Sequence, residues 1–127
     1  MRKTFLVWIG ILTFAPGCVP TPPQHLVDLN VRMNREIRYV PDKDEVLDHC
    51  KPIALTMMYG GDCDDIVCAK SEALLRLGYP LSDLAMVGGF TKPDGTPHVV
   101  LKVQNKWYLD NRHDRVTKQP IDFMERL

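Results

Sequence analysis

The sequence predicts an α+β fold. Apolar residues recur at helical spacing through the first part of the chain, strand-like runs broken by tight-turn residues fill the second, and the two kinds of segment do not alternate. From Leu26 to Tyr39, Leu26, Leu29, Met33 and Ile37 recur every three or four residues. This marks an amphipathic helix with Asn30, Arg32, Asn34, Arg35 and Glu36 largely to solvent. Pro41-Asp42-Lys43-Asp44 is turn chemistry, and Glu45 to Met58 reads as a short helix followed by an apolar stretch interrupted at Pro52.

Gly60-Gly61-Asp62 leads into a second long helix over Cys63 to Leu77. Asp62 is its natural N-cap, because a carboxylate accepts the unpaired amide hydrogens of the first turn. Ile66, Val67, Ala69, Ala73, Leu74 and Leu77 form its apolar stripe, and Gly78 with Pro80 ends it. The remainder reads as antiparallel strands: Leu84 to Phe90, a turn at Pro93-Asp94-Gly95, His98 to Val103, a tight turn near Gln104-Asn105, and Trp107 to Leu109.

With 127 residues, 45% apolar and 25% charged, the chain has room for one core. Sixteen basic and 16 acidic side chains are interspersed at zero net charge, so no basic stripe marks a nucleic-acid partner. Arg2 and Lys3 followed by the apolar run Thr4 to Ala15 form an export signal. A run of a dozen residues falls short of the roughly 20 that a membrane-crossing helix needs. Ala15-Pro16-Gly17-Cys18 resembles the lipobox at which bacterial lipoproteins are cut and acylated, although Ala15 stands where leucine is usual. The expected organisation is a signal over 1–18 with lipidation at Cys18, a proline-rich tether over 19–25, and one domain over 26–127. The protein is then exported, either periplasmic or held to the membrane by a lipid. Beyond the signal, Cys50, Cys63 and Cys68 cannot all pair internally. In an oxidising compartment at least one thiol is free, bonded to another chain, or used in chemistry.

Cys63 stands where the start of a helix favours a thiolate, while Asp62, Asp64 and Asp65 oppose it by their charge. A histidine can restore the balance. With the hairpin turn centred on Gln104, His98 lies directly opposite Asp110 and Val100 opposite Tyr108, so imidazole and carboxylate share one face. Val99, Leu101, Val103, Trp107 and Leu109 fill the other. A shift of one residue would pair His98 with Asn111 instead. A zinc site from Cys50, Cys63, Cys68 and His98 has suitable ligand types and poor spacing, since Cys63 and Cys68 fall on different faces of one helix. Cys50 and Cys68 can form a disulfide or be buried separately. Asp62, Asp64 and Asp65 can also act simply as helix caps.

Gly61-Asp62-Cys63-Asp64-Asp65, Lys70, Leu74 to Gly78, His98-Val99-Val100-Leu101 and Leu109-Asp110-Asn111-Arg112 together resemble the bacterial transglutaminase-like cysteine peptidases, a group that includes periplasmic proteases acting on biofilm adhesins. Asn34 to Tyr39 with Asp42 resembles that family's leading asparagine, tyrosine and aspartate pattern. The resemblance implies a papain-like or transglutaminase-like fold, with Cys63 as nucleophile, His98 as general base and acid, and Asp110 as the acceptor that orients the imidazole. It implies calcium near Asp62 and Asp64, with no cofactor required for the chemistry, and a protein or peptide substrate in the cell envelope. The family's tryptophan-containing segment before the cysteine is replaced here by His49 to Tyr59, and the chain is short for the family. Both departures motivate an alternative, a catalytically inactive lipoprotein that serves as an envelope interaction module.

Overall fold

A computed structural model of the chain describes residues 20–41 and 50–126. The signal over 1–18, Cys18, Asp42 and His49 lie outside the described residues.

Three helices precede the sheet: α1 (Gln24–Glu36), α2 (Ile53–Tyr59) and α3 (Cys63–Arg76). A 3-10 turn at Leu81–Asp83 leads into five strands: β1 (Leu84–Thr91), β2 (Pro97–Val103), β3 (Trp107–Asp110), β4 (His113–Thr117) and β5 (Phe123–Glu125). They form one antiparallel sheet in the order β4-β3-β2-β1-β5. Among the described residues no helix is long and apolar enough to cross a membrane.

The expected α+β architecture is present. Helix α1 starts two residues before the apolar periodicity, because Pro23 serves as its N-cap and the first turn needs no core contact. Its Leu26, Leu29 and Met33, together with Ile37, meet Ile66, Val67, Ala69 and Leu74 of α3 over the inward side chains Leu101, Val103, Trp107, Leu109 and Val116 of the sheet. Ile53 to Tyr59 is helical rather than merely apolar, with Pro52 at its N-cap, where a missing N–H costs nothing. Leu77 is the C-cap of α3 and exposed, so the buried stripe ends at Leu74. Asn30, placed toward solvent by the helical periodicity, is fully buried.

The β2–β3 hairpin pairs Leu101 with Leu109, Lys102 with Tyr108 and Val103 with Trp107. Its turn is therefore centred on Asn105, not Gln104, because the connection takes three residues, with Gln104 and Asn105 in left-handed backbone conformations. Moving the centre by one residue shifts every partner by two and leaves each side chain on its face. Asp110 thus lies diagonal to His98 instead of directly across. The apolar side is as expected, with Val99 against the helix-side core. Beyond the expected strands, β4 and β5 extend the sheet at both edges. Phe123 of β5 forms a second small core with Val100 and Tyr108 on the face away from the helices.

Candidate functional site

Cys63 is the first residue of α3. Ahead of it, Asp62 accepts a hydrogen bond from the Asp65 amide at 3.1 Å, and Asp65 accepts one from the Asp62 amide at 3.2 Å, a reciprocal cap that fixes the first turn. Asp65 also takes the Lys51 amide at 3.0 Å and lies 3.4 Å from the Lys51 ammonium. Burial would raise the Asp65 carboxyl, but the amide bonds from Lys51 and Asp62 and the Lys51 charge outweigh it and hold the group below its usual range. Gly61 makes this cap fit, since a Cβ there would fall 2.5 Å from the Cβ of Asp65.

Cys68, one turn and a half further on, forms a disulfide with Cys50, with Cα atoms 5.8 Å apart. Of the three cysteines among the described residues, Cys63 is the free thiol, half-buried. The disulfide takes two of the four ligands that the zinc alternative would need. Burial pushes the Cys63 thiol up, and the Asp64 and Asp62 charges add to this. A hydrogen bond with the Val99 backbone acts against them. These surroundings disfavour ionisation of Cys63, which therefore needs a base beside it.

That base is available on β2. His98 and Cys63 line the same cavity of about 360 Å³, together with Asp64, Gly88, Gly89 and Pro97. His98 Nε2 lies 2.8 Å from Asp110 Oδ1, both residues being buried. With Nε2 committed to the carboxylate, Nδ1 is the nitrogen left to exchange a proton with a thiol. Phe123 stands edge-on to the imidazole, ring centres 6.1 Å apart. Gly89 pairs with His98 across β1–β2, and a Cβ on it would lie 2.2 Å from the Met124 carbonyl oxygen. Only a glycine lets β5 bring Phe123 this close.

Asp110 has a second partner that the sequence reading missed. Arg112 donates from Nε at 3.2 Å and from its terminal nitrogen at 2.7 Å to Oδ2, while its backbone amide donates to Oδ1 at 2.9 Å. The guanidinium is braced in turn by the Ile121 carbonyl at 2.9 Å. Burial would raise the Asp110 carboxyl, yet the hydrogen bonds from His98 and Arg112 hold it well below the usual carboxylate range. Asp110 is also a turn residue, since it accepts the Arg112 amide two residues on at the end of β3. Asn111 lines a separate cavity of about 530 Å³ on the other side of His98 and has no bond to the imidazole. His113 of β4 has a buried Nε2.

The carboxylates of Asp62 and Asp64 suit a hard cation in donor type, and neutralising them would ease ionisation of Cys63. They supply few ligands, however: among the described residues no group of three or more His, Cys, Asp or Glu side chains could hold a metal ion. Calcium, which takes six to eight oxygens, would need further oxygen donors beyond this pair.

No curated protein matches the chain in sequence. Among solved structures, the fold matches Legionella pneumophila LapG in its calcium-bound form with a TM-score of 0.69 at 21% identity, covering 80% of this chain and 61% of that one. EGTA-treated LapG gives a TM-score of 0.67, also at 21% identity, covering 80% of this chain and 60% of that one. The chain thus spans about 60% of the length of the LapG chains it matches. The family model of the bacterial transglutaminase-like cysteine proteinases matches residues 18–123. With that match spanning the helices and nearly all of the sheet, including Cys63, His98 and Asp110, the chain belongs to the bacterial transglutaminase-like cysteine proteinase family.

Proposed function

We propose that this chain is a cysteine peptidase acting on a protein or peptide through Cys63, His98 and Asp110. The observation that carries the reading is the buried His98–Asp110 pair at 2.8 Å, opening onto the cavity that holds the free thiol of Cys63.

In this mechanism His98 Nδ1 takes the Cys63 proton and the thiolate attacks the scissile carbonyl carbon. The resulting oxyanion is met by amide hydrogens at the start of α3. His98 then passes its proton to the leaving amine as the C–N bond breaks, leaving a thioester on Cys63. Water, deprotonated by His98, attacks the thioester, and the proton returns to the thiolate as the acid product leaves. Asp110 accepts from Nε2–H throughout, which holds the tautomer and supports the imidazolium. An amine in place of water would make the same site a cross-linking one.

Export with lipidation at Cys18 belongs to this reading, and the Cys50–Cys68 disulfide supports an oxidising compartment. Calcium on Asp62 and Asp64, with additional oxygen donors, is the remaining element, supported by the calcium-bound form of LapG. It would offset the charges that disfavour the thiolate. A melting temperature that rises in calcium relative to chelator, and does so less in Asp64→Asn, supports it; identical melts in both discard it.

The test of the triad uses iodoacetamide. Cys63 should be alkylated near pH 6 much faster than a free model thiol, and His98→Ala should abolish the excess. Comparing cleaved envelope proteins in cells carrying the wild type and Cys63→Ala then seeks the substrate. An ordinary alkylation rate, with no cleavage lost in Cys63→Ala, leaves the non-catalytic interaction module as the better account.

A further inference from the structure

We infer that Lys70, acting through Asn30 and Asn34, is a positioning residue that ties the Cys63 helix to the strand end carrying Asp110. This rests on the proposed triad.

Lys70 follows Cys63 by seven residues, two helical turns, so both lie on one face of α3 about 10 Å apart along its axis. Its side chain is buried, 1% exposed. The ammonium donates to Asn30 Oδ1 at 2.7 Å and to Asn34 Oδ1 at 2.6 Å, both on α1. A lysine ammonium can only donate, so it fixes which way each amide faces. With the oxygens turned to Lys70, both nitrogens are aimed at the β3–β4 turn. Asn30 Nδ2 donates to the carbonyls of His113 at 2.9 Å and Asp114 at 3.1 Å. Asn34 Nδ2 donates to those of Asp110 at 3.0 Å and His113 at 3.1 Å.

Asp110 is therefore held at both ends, its carboxylate by His98 and Arg112 and its backbone carbonyl by Asn34. The path from Lys70 through Asn34 and Asp110 to His98 runs over four residues joined by three hydrogen bonds, the middle one to the Asp110 backbone carbonyl, and links the helix of the thiol to the imidazole. Apolar contacts between helix and sheet fix distance but tolerate sliding, whereas directional bonds set register. Besides this network, Cys63 bonds the Val99 backbone and the exposed Arg35 lies 3.9 Å from Asp114. Burial pushes the Lys70 ammonium down to about 7, against the pull of the Asp110 and Asp114 charges. The tether survives that titration, because a neutral amine still has two hydrogens for the two amides.

The alternative is that Lys70 is only a satisfied buried charge whose loss would be felt through stability. Lys70→Met and Asn34→Ala separate the two, with Ile66→Val on the same helix as a core variant outside the network. Two readouts are taken well below each melting temperature: the downfield proton resonance of the His98–Asp110 hydrogen bond, and the rate of Cys63 alkylation by iodoacetamide at pH 7. The tether predicts that Lys70→Met and Asn34→Ala lose or broaden the resonance and slow alkylation roughly ten-fold or more, as small misplacements of catalytic groups do. Ile66→Val should keep both. An unchanged resonance and rate in Lys70→Met, or equal losses in Ile66→Val, overturn the inference. His98→Ala is the separate check on the triad: if it alkylates as the wild type does, the triad falls, and the resonance alone decides whether Lys70 positions the pair.

Discussion

Replacing Asp110 with asparagine separates the two jobs this carboxylate does. Oδ1 receives His98 Nε2 and the Arg112 amide, while Oδ2 receives the Arg112 guanidinium. An amide oxygen in the Oδ1 place keeps the His98 bond and its tautomer, and sets an NH2 against the guanidinium. The loss is then one bidentate charge-assisted contact. At roughly 1.5–3 kcal/mol for a hydrogen bond to a charged group, and with the guanidinium partly solvated, about 2 kcal/mol of stability should go. In a domain of this size that lowers the melting temperature by roughly 8–16 °C. Alkylation of Cys63, and peptide cleavage once a substrate is known, should fall roughly 10- to 100-fold, about 1.4–2.7 kcal/mol of barrier. That is less than for Cys63→Ala or His98→Ala. The sign of the pH dependence follows from the depressed carboxyl. Its stabilisation is complete above the unfolded value near 4 and is lost as pH falls through the lower folded value. The gap in melting temperature between wild type and Asp110→Asn should thus be constant above about pH 5 and close in acid. Equal melting temperatures at neutral pH, a gap that persists in acid, or a rate loss matching His98→Ala would refute this division of roles.

Three further outcomes are expected. Asp65→Ala removes the acceptor of the Lys51 and Asp62 amides and opens the cap of α3, so chemical denaturation should show a loss of about 2–4 kcal/mol. Gly89→Ala places a methyl 2.2 Å from the Met124 carbonyl and 2.5 Å from the Phe123 ring, and must push β5 away. A melt should fall by more than the few degrees an exposed strand substitution causes, with weakened protection of the β5 amides in hydrogen exchange. Reducing the Cys50–Cys68 disulfide, which spans 18 residues, should cost about 3 kcal/mol by the chain-entropy argument. A melt unaffected by reductant, with both thiols shown free, would disprove that contribution.

Features that depend on local pattern are legible in the residues alone. Helical spacing marked α1 and α3, Asp62 announced the start of α3, and alternation in β2 and β3 assigned the faces, so that His98 and Asp110 share one side even though the turn centre lies one residue further on. Faces survive such an error because side chains alternate with period two. Meetings between segments far apart in the chain become visible in the assembled fold. The short strands β4 and β5 carry too few apolar residues to announce themselves, and exist because β3 and β1 offer free edges. Arg112 reads as a turn residue until the fold sets its guanidinium against Asp110. Asn30 and Lys70 carry side chains whose ordinary place is water; the first was read outward, and the second interrupts an otherwise apolar stripe. Each is buried because the other, with Asn34 and the carbonyls of the β3–β4 turn 76 to 84 residues away from the asparagines, satisfies its polar atoms. Burial of a polar group depends on partners that no local window contains.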